Sequence, residues 1–255
     1  AGIEHVDASG YRRTLRTPGG IVVASATVDD RSALGVSLAG GPIASAAMAA
    51  AVALDVDAAE ADARLRWAAE RHDLPMLAAS VAAAPLLRAP GCADPHEMVV
   101  RAIVGQQISV AAATGQLRLL ATLGERLPEA TGGLDRAFPT DGQLAAGAIA
   151  VLRGPAARSE TVARVAAALD DGSLVIERGI DLERMRARLL GLKGIGPWTA
   201  GYVSLRLGDP DVLLLGDSAV RSGARRLGID DLPAVAADVA PWRTHLMLHC
   251  WRAAT

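Results

Sequence analysis

Three short runs of strand-forming residues, separated by turn residues, predict three strands near the N-terminus. The pattern occurs in YRRTLRT (11–17), IVVASATV (21–28) and ALGVSL (33–38), with the turn-forming residues PGG and DDRS between these runs. Short runs of this kind bounded by turn residues are typical of strands joined as hairpins. We therefore expect a small antiparallel sheet.

Helical periodicity follows the predicted strands. The Ala-rich stretch that Pro42 opens predicts a helix ending near Asp55, and DAAEADARLRWAAERH (57–72) predicts an amphipathic helix with Leu65 and Ala69 on its apolar side. We group these helices with the sheet in an N-terminal α+β domain, residues 1–73.

Residues 74–255 are predicted to be helical throughout, with short breaks rich in Gly and Pro between the segments. Asp94 is suited to cap a helix that has Pro95 in its first position. HEMVVRAIVGQQISVAAATGQLRLLATLG (96–124) then predicts a long apolar helix or a helix pair. The fold class is accordingly mainly α with a small N-terminal α+β domain.

Composition supports a helical, globular protein. The 255 residues are 51% hydrophobic but only 3% aromatic, and Ala, Leu and Arg, all strong helix formers, are abundant. The longest weakly polar run falls short of the ~20 apolar residues of a membrane span, so we expect no membrane association. Two cysteines without a Cys-x-x-Cys pair predict neither a disulfide framework nor an iron–sulfur cluster, and we expect a reduced, cytoplasmic protein without a cofactor.

The net charge of −2 does not indicate a nucleic-acid-binding protein, but cations outnumber acids between Arg184 and Arg226. A local basic face is therefore expected in that region.

ERMRARLLGLKGIGPWTAGYVSLRLG (183–208) predicts a helix, a tight loop and a second helix. Gly191 ends the first helix, and Pro197 occupies the first turn of the second. Gly194 and Gly196 permit positive φ angles and close approach, so that amides at a helix N-terminus can bind a phosphate. Taken alone, a Gly-x-Gly between helices is more often just a turn.

The chain continues through an apolar, strand-like DVLLL (211–215) to a single acidic residue, Asp217, before another predicted helix. The commonest role of an Asp at that position is to cap the helix. A catalytic role is the alternative, and a helix N-terminus favours the ionised carboxylate.

These motifs together resemble the helix-hairpin-helix DNA glycosylase superfamily, with the helix-hairpin-helix at about 184–208. VRAIVGQQISVAAATGQL (100–117), FPT (138–140) and APWRTHLMLHCW (240–251) are similar to segments of the AlkA-like 3-methyladenine DNA glycosylases, in the same order. The resemblance implies a helical region of two lobes, residues 74–255, with an active-site cleft between the lobes.

The activity that the resemblance implies is base excision repair. Such an enzyme hydrolyses the N-glycosidic bond of an alkylated base, of the 3-methyladenine type, that is flipped out of duplex DNA. Breaking this bond builds positive charge on the sugar, and Asp217 matches the carboxylate that stabilises it. Members that also cut the strand have a nucleophilic Lys just after the hairpin, where this chain has Trp198. The only lysine, Lys193, is better placed to meet a phosphate, so a monofunctional enzyme is expected.

The resemblance assigns Trp198 and Trp251 to the base pocket, where an electron-rich ring would favour a cationic alkylated purine. Both tryptophans could instead belong to the core. Ser218 is a departure, because the family pattern has a Tyr there that lines the pocket. Tyr202 is a candidate to replace that Tyr, and Trp242 is expected to be structural.

DNA contacts are expected from the hairpin and its surroundings. The resemblance implies backbone contacts through the amides of Gly194 and Gly196, with a bound monovalent cation, and places Gln107 where a side chain fills the vacated base stack. An exposed Gln on a helix surface is the alternative for Gln107. The remaining candidates for DNA binding are Lys193, Thr199 and Arg221.

His245 and His249 have the i, i+4 spacing of a zinc pair, but no Glu follows His245 and no third ligand is evident. We expect no metal site.

A non-catalytic helix-hairpin-helix DNA-binding module is the main alternative function, and it would not need Asp217. An endonuclease-type relative acting on oxidised bases is disfavoured by the missing Lys and cluster cysteines. The expected partner is damaged double-stranded DNA, bound by a monomer. Because the chain begins with Ala1, it is also expected to be a piece of a larger protein, such as a fusion with a methyltransferase and regulator.

Overall fold

The computed structural model describes residues 2–8, 10–28, 34–38, 57–131 and 133–255. The helix predicted between Pro42 and Asp55 lies outside these residues.

The N-terminal strands form an antiparallel sheet of four strands in sequential order: β1 (Glu4–Asp7), β2 (Gly10–Thr17), β3 (Gly20–Val28) and β4 (Leu34–Leu38). His5 pairs with Arg12, Leu15 with Val22, and Ala26 with Val36. The predicted sheet is confirmed, with β1 as an additional strand.

A second, two-stranded sheet comprises β5 (Arg126–Thr131) and β6 (Leu134–Arg136). The sequence predicts only a break between helices at GERLPEATGG (124–133), so this sheet was not expected. The Oγ1 of Thr14 in β2 donates a hydrogen bond of 2.9 Å to the carbonyl oxygen of Arg136, which attaches β6 to the N-terminal sheet.

The helices account for most of the described residues after the first sheet, which confirms the mainly α fold. They are α1 (Ala58–Arg71), α2 (Pro75–Ala83), α3 (Pro95–Val104), α4 (Val110–Ala121), α5 (Asp141–Val151), α6 (Ala156–Asp170), α7 (Leu182–Leu190), α8 (Pro197–Arg206), α9 (Ser218–Arg226), α10 (Leu232–Asp238) and α11 (Arg243–Ala254).

The long apolar segment that starts at His96 is a helix pair. Asp94 caps α3 as predicted, because its Oδ1 accepts hydrogen bonds from the amides of His96 and Glu97 at 2.9 and 3.1 Å. Pro95 is the first residue of α3. The segment between α3 and α4 contains Gln107 with a φ of +56°.

The chain divides into two compact units. Unit 1 comprises Ala1–Val52 and Cys92–Ile195, and unit 2 comprises Ala53–Gly91 and Gly196–Thr255. This division differs from the predicted grouping of residues 1–73, because α1 belongs to unit 2. The reason is its apolar side, where Leu65 is fully buried in the same core as Leu77 and Leu246.

In unit 1, a buried ion-pair network joins the sheet to α3. Arg13 of β2 donates to the Oε2 of Glu97 at 2.5 Å, and Arg101 donates to the Oε1 of Glu97 at 2.6 Å. Arg101 also reaches Glu4 of β1 at 2.9 Å. Burying a charge is costly unless it is paired, and Glu97 has a cation on each of its oxygens.

None of the helices in the described part of the chain is long and apolar enough to cross a membrane. Cys92 and Cys250 are buried and unbridged, and burial raises the pKa of the Cys250 thiol to about 12.

Candidate functional site

The predicted helix, loop and helix are present as α7, the segment 191–196 and α8. Gly194 has a φ of +96°, and a β-carbon at this position would lie 2.0 Å from the Oγ1 of Thr161. Glycine is therefore required there for both its conformation and its size. Gly196 differs from the prediction: its φ is −103°, which any residue adopts, and a β-carbon there would meet nothing within 4 Å.

Side chains from distant parts of unit 1 hold the loop in place. Arg164 donates to the carbonyl oxygen of Lys193 at 2.9 Å, and the Nε2 of Gln106 donates to the carbonyl oxygen of Gly194 at 3.2 Å. Ile195, between the two glycines, is buried. Thr161, Arg164 and Gln106 were not predicted, since nothing local in the sequence links them to loop residues 29 to 88 positions away.

The backbone of this segment retains donors for a ligand. Within the described residues, the amides of Gly194 and Gly196 donate to no protein acceptor. α8 begins at Pro197 without a side-chain cap, so its N-terminus is suited to an anion. The side chain of Lys193 is exposed, whereas Thr199 is only 2% exposed, which leaves its side chain unsuited to a direct DNA contact.

Gln107 is exposed in the segment between α3 and α4, and it is therefore not the helix-surface glutamine considered as its alternative. A positive φ in a residue other than glycine costs of order 1–3 kcal/mol, and surrounding contacts must enforce it. Two hydrogen bonds restrain the preceding residue, Gln106. Its carbonyl oxygen accepts a hydrogen bond of 2.9 Å from Arg158, and the side chain of Gln106 donates one to the carbonyl oxygen of Gly194. The wedge role of Gln107 stays a prediction.

The predicted strand DVLLL is wrong: residues 211–215 form no strand. Side chains of α11 take the backbone donors that a sheet would use, because Val212 N donates to the Oγ1 of Thr244 at 3.0 Å and Leu214 N donates to the Sδ of Met247 at 3.3 Å. Val212 and Leu214 are buried in the core of unit 2. The run is apolar because it is packed against α11.

Asp217 is the N-cap of α9, the commonest role of an Asp immediately before a helix. Its Oδ1 accepts hydrogen bonds from the amides of Ala219 and Val220 at 2.7 and 3.1 Å. Its Oδ2 accepts a hydrogen bond of 2.8 Å from the indole Nε1 of Trp198. Capping engages one oxygen only, so it is compatible with a chemical role for the carboxylate.

Three aromatic residues lie together in unit 2, and one of them, Trp198, contacts this carboxylate. Trp198 and Tyr202 are stacked, with ring centroids 5.2 Å apart and planes within 4°. Trp251 is tilted against Tyr202 at 6.4 Å and 59°. All three are half-buried at the edge of the unit 2 core, so they are neither wholly core residues nor isolated on the surface. The structure thus places Tyr202, which the sequence could not.

Arg206 is a residue of this cluster that the sequence analysis missed. Its Nη1 donates to the hydroxyl oxygen of Tyr202 at 2.8 Å, and its guanidinium carbon lies 5.6 Å from the centre of the Tyr202 ring. Its Nε donates to the carbonyl oxygen of Gly91 at 2.9 Å. The i, i+4 spacing of Tyr202 and Arg206 on one helix was the available signal.

The two remaining predicted site residues, Ser218 and Arg221, follow Asp217 in the chain, and both are exposed. Ser218 is the first residue of α9 and is exposed. Arg221 donates to the carbonyl oxygen of Leu215 at 3.0 Å, which ties α9 to the segment before it.

His245 and His249 are both fully buried in α11. Trp242 packs edge-on against His245 at 5.8 Å, in keeping with the structural role expected for it, and His249 is hydrogen-bonded to the Oγ of Ser80 at 2.9 Å. Within the described residues, no group of three or more His, Cys, Asp or Glu side chains could hold a metal ion.

Unit 1 has a cavity of about 350 Å³ that contains none of the predicted site residues. His96 and Asp141 are paired across 2.7 Å in its wall, and this hydrogen bond raises the pKa of His96.

The chain is 37% identical to the probable bifunctional transcriptional activator/DNA repair enzyme AlkA of Mycobacterium tuberculosis. The alignment, 258 residues long with its gaps, covers 98% of the chain and 51% of that protein. It is also 37% identical to DNA-3-methyladenine glycosylase 2 of Escherichia coli over 175 residues, 67% of the chain and 61% of the relative. The chain thus spans between half and two thirds of the length of the curated relatives it matches.

A solved structure with a similar fold is the 3-methyladenine DNA-glycosylase from Archaeoglobus fulgidus, with a TM-score of 0.74 at 19% identity. The alignment covers 98% of the chain and 89% of that structure. No protein-family model matches the chain.

Proposed function

Because the chain belongs to the AlkA-like helix-hairpin-helix DNA glycosylases, we propose that it is a monofunctional DNA glycosylase. It hydrolyses the N-glycosidic bond of alkylated bases, of the 3-methyladenine type, in duplex DNA. The observation that carries this proposal is the carboxylate of Asp217, held by Trp198 beside the stacked aromatic rings.

The proposed chemistry needs a negative charge close to the sugar. As the base leaves, the deoxyribose acquires oxocarbenium character, and a preoriented carboxylate stabilises that charge or directs water to the anomeric carbon. Asp217 supplies the carboxylate. The other mechanism of the superfamily uses a Lys just after the hairpin, and Trp198 occupies that position. Base release without strand cleavage follows.

Base selection is assigned to Trp198, Tyr202 and Trp251. A methylated purine carries positive charge, and stacking on an electron-rich ring contributes about 0.5–2 kcal/mol in its favour. Ser218 replaces the family's Tyr, so a wall of the pocket is smaller and more polar on that side. Tyr202, stacked on Trp198, supplies an aromatic ring in its stead.

Sequence-independent DNA binding is assigned to the hairpin. The free amides of Gly194 and Gly196 and the exposed Lys193 suit phosphate oxygens. The resemblance also implies a monovalent cation at the hairpin. The guanidinium of Arg164 on the carbonyl oxygen of Lys193 disfavours a cation at that oxygen. The carbonyl oxygen of Gly194 accepts a hydrogen bond of 3.2 Å from the neutral side chain of Gln106 and keeps a second lone pair that such a cation would use.

The chain spans only part of its curated relatives, and the relative from Mycobacterium tuberculosis is named as bifunctional. We accordingly propose that the chain is the DNA-repair portion of such a protein, acting in the cytoplasm, and that it is monomeric on DNA. Light scattering with and without duplex DNA tests the stoichiometry, and a complex with two chains would contradict it.

Base release from methylated duplex DNA, followed by alkaline cleavage of the abasic product, tests the activity. Wild-type protein should release methylpurines, and Asp217→Asn should bind the DNA but release none. Equal binding with no release by either protein would instead indicate a non-catalytic helix-hairpin-helix module. Strand cleavage at neutral pH with an adduct trapped by borohydride would contradict the monofunctional mechanism.

A further inference from the structure

The carboxylate of Asp217 is held from two directions. Oδ1 accepts hydrogen bonds from the backbone amides of Ala219 and Val220, which belong to the helix that Asp217 caps. Oδ2 accepts the indole N–H of Trp198, 19 residues earlier on α8. Only the second contact comes from outside the local helix start.

The hydrogen bond from Trp198 fixes the plane of the Asp217 carboxyl group, which the cap leaves free to rotate. Two amides on one oxygen locate that oxygen, but rotation of the carboxyl plane is soft, because the χ2 torsion of Asp has a broad distribution. A donor on the other oxygen sets the plane. It also leaves the remaining lone pair of Oδ2 as the free acceptor on that oxygen, available to the sugar or to a water.

Trp198 is itself held in place by neighbours in unit 2. Its ring is stacked on Tyr202, the hydroxyl of Tyr202 accepts from Arg206, and both Nε and Nη2 of Arg206 donate to the carbonyl oxygen of Gly91. This succession of contacts starts at a backbone carbonyl and ends at Oδ2 of Asp217. A ring that served only as an apolar wall would not need its N–H at a defined point.

We propose that Trp198 is a positioning residue: its indole N–H orients the carboxylate of Asp217 for base release, in addition to the ring's place in the pocket. Tyr202 and Arg206 act through it by fixing the plane of the indole. This inference rests on the proposed function, since the orientation matters only if Asp217 acts on the sugar.

Indole proton NMR tests the contact without any assay of activity. The chain has four tryptophans, so four indole N–H signals are expected, and single Trp→Phe variants assign them. Asp217→Asn should shift the Trp198 signal more than any other. The Trp242 signal is the internal control, because that ring packs against His245. An unshifted Trp198 signal would overturn the inference.

Single-turnover kinetics test the consequence for base release. A hydrogen bond to a charged group is stronger than a neutral one, so Trp198→Phe should lower the rate constant of base release about 10- to 100-fold. The dissociation constant for the same DNA should change less than about threefold, since the lost contact serves the chemical step. A loss confined to DNA binding would overturn the inference.

Trp251→Phe is the matched control, because it makes the same change of ring at another wall of the pocket. The decrease in its rate constant of base release measures the effect of replacing an indole by a phenyl ring where no contact to Asp217 is lost. An additional loss in Trp198→Phe supports the inference, and equal losses overturn it while leaving the proposed function intact. If wild-type protein releases no base, the proposed function fails first and the inference falls with it.

Discussion

Gly194 lies against Thr161 so closely that a β-carbon on the glycine would be 2.0 Å from the Oγ1 of the threonine. Thr161 is buried in α6, and its hydroxyl donates to the carbonyl oxygen of Ala157 at 2.7 Å, so it cannot simply turn away. The hairpin is thus fixed by a long-range contact as well as by its own sequence.

Gly194→Ala should therefore destabilise the protein by about 1–3 kcal/mol, because it adds both backbone strain and overlap with Thr161. Denaturant unfolding measures the change. Gly196→Ala is the matched control for stability, since its φ is −103° and the space beside it is open. Its effect should stay within about 0.5 kcal/mol. Equal losses in the two variants would contradict the steric account.

Two substitutions of Asp217 should separate its effect on the free energy of unfolding from its effect on base release. Asp217→Ala removes the acceptor for the amides of Ala219 and Val220 and should cost about 0.5–2 kcal/mol of unfolding free energy. Asp217→Asn keeps an amide oxygen at that position and should unfold close to wild type. Base release should be lost in both variants. A large destabilisation of the Asn variant would show that its inactivity reflects folding.

His249 should make stability fall in mild acid. Burial lowers the pKa of His249 from 6.5 to about 4, so the folded protein binds this proton less readily than the unfolded chain does. The contribution of neutral His249 to the free energy of unfolding is therefore complete above pH 6.5. It is lost as the pH falls towards 4, and the total loss is roughly 3 kcal/mol. Unfolding free energies measured from pH 7.5 to 4.5 test this. His249→Leu should give a flatter profile, and an unchanged slope would contradict the assignment.

The ion pair between Arg13 and Glu97 should be costly to break. Glu97→Gln removes the charge that both Arg13 and Arg101 contact and leaves buried guanidinium groups poorly compensated, so a loss of about 3–5 kcal/mol is expected. Arg16→Gln is a suitable control, because its contact with Glu125 is exposed and 3.4 Å long, and such pairs contribute about 0–1 kcal/mol. Similar losses in the two variants would count against a special role for burial.

Local patterns in the sequence predicted much of the fold. Short strand-forming runs between turn residues predicted β2 and β3, and helical periodicity predicted α1 with Leu65 on its buried side, because both patterns depend on neighbouring residues alone. The break at Gly191, the start of α8 at Pro197 and the cap at Asp94 are likewise local. DVLLL was misread because an apolar run has the same composition whether it pairs in a sheet or packs against a helix, as these residues do against α11.

The sequence by itself therefore determined the helix-hairpin-helix motif, the carboxylate of Asp217 and the aromatic side chains to consider. Only the tertiary structure decided how they combine. The contacts of Gly194 with Thr161, of Trp198 with Asp217, and of Arg206 with Gly91 join residues 19 to 115 positions apart. No local propensity encodes such pairs, because their geometry depends on how the helices pack.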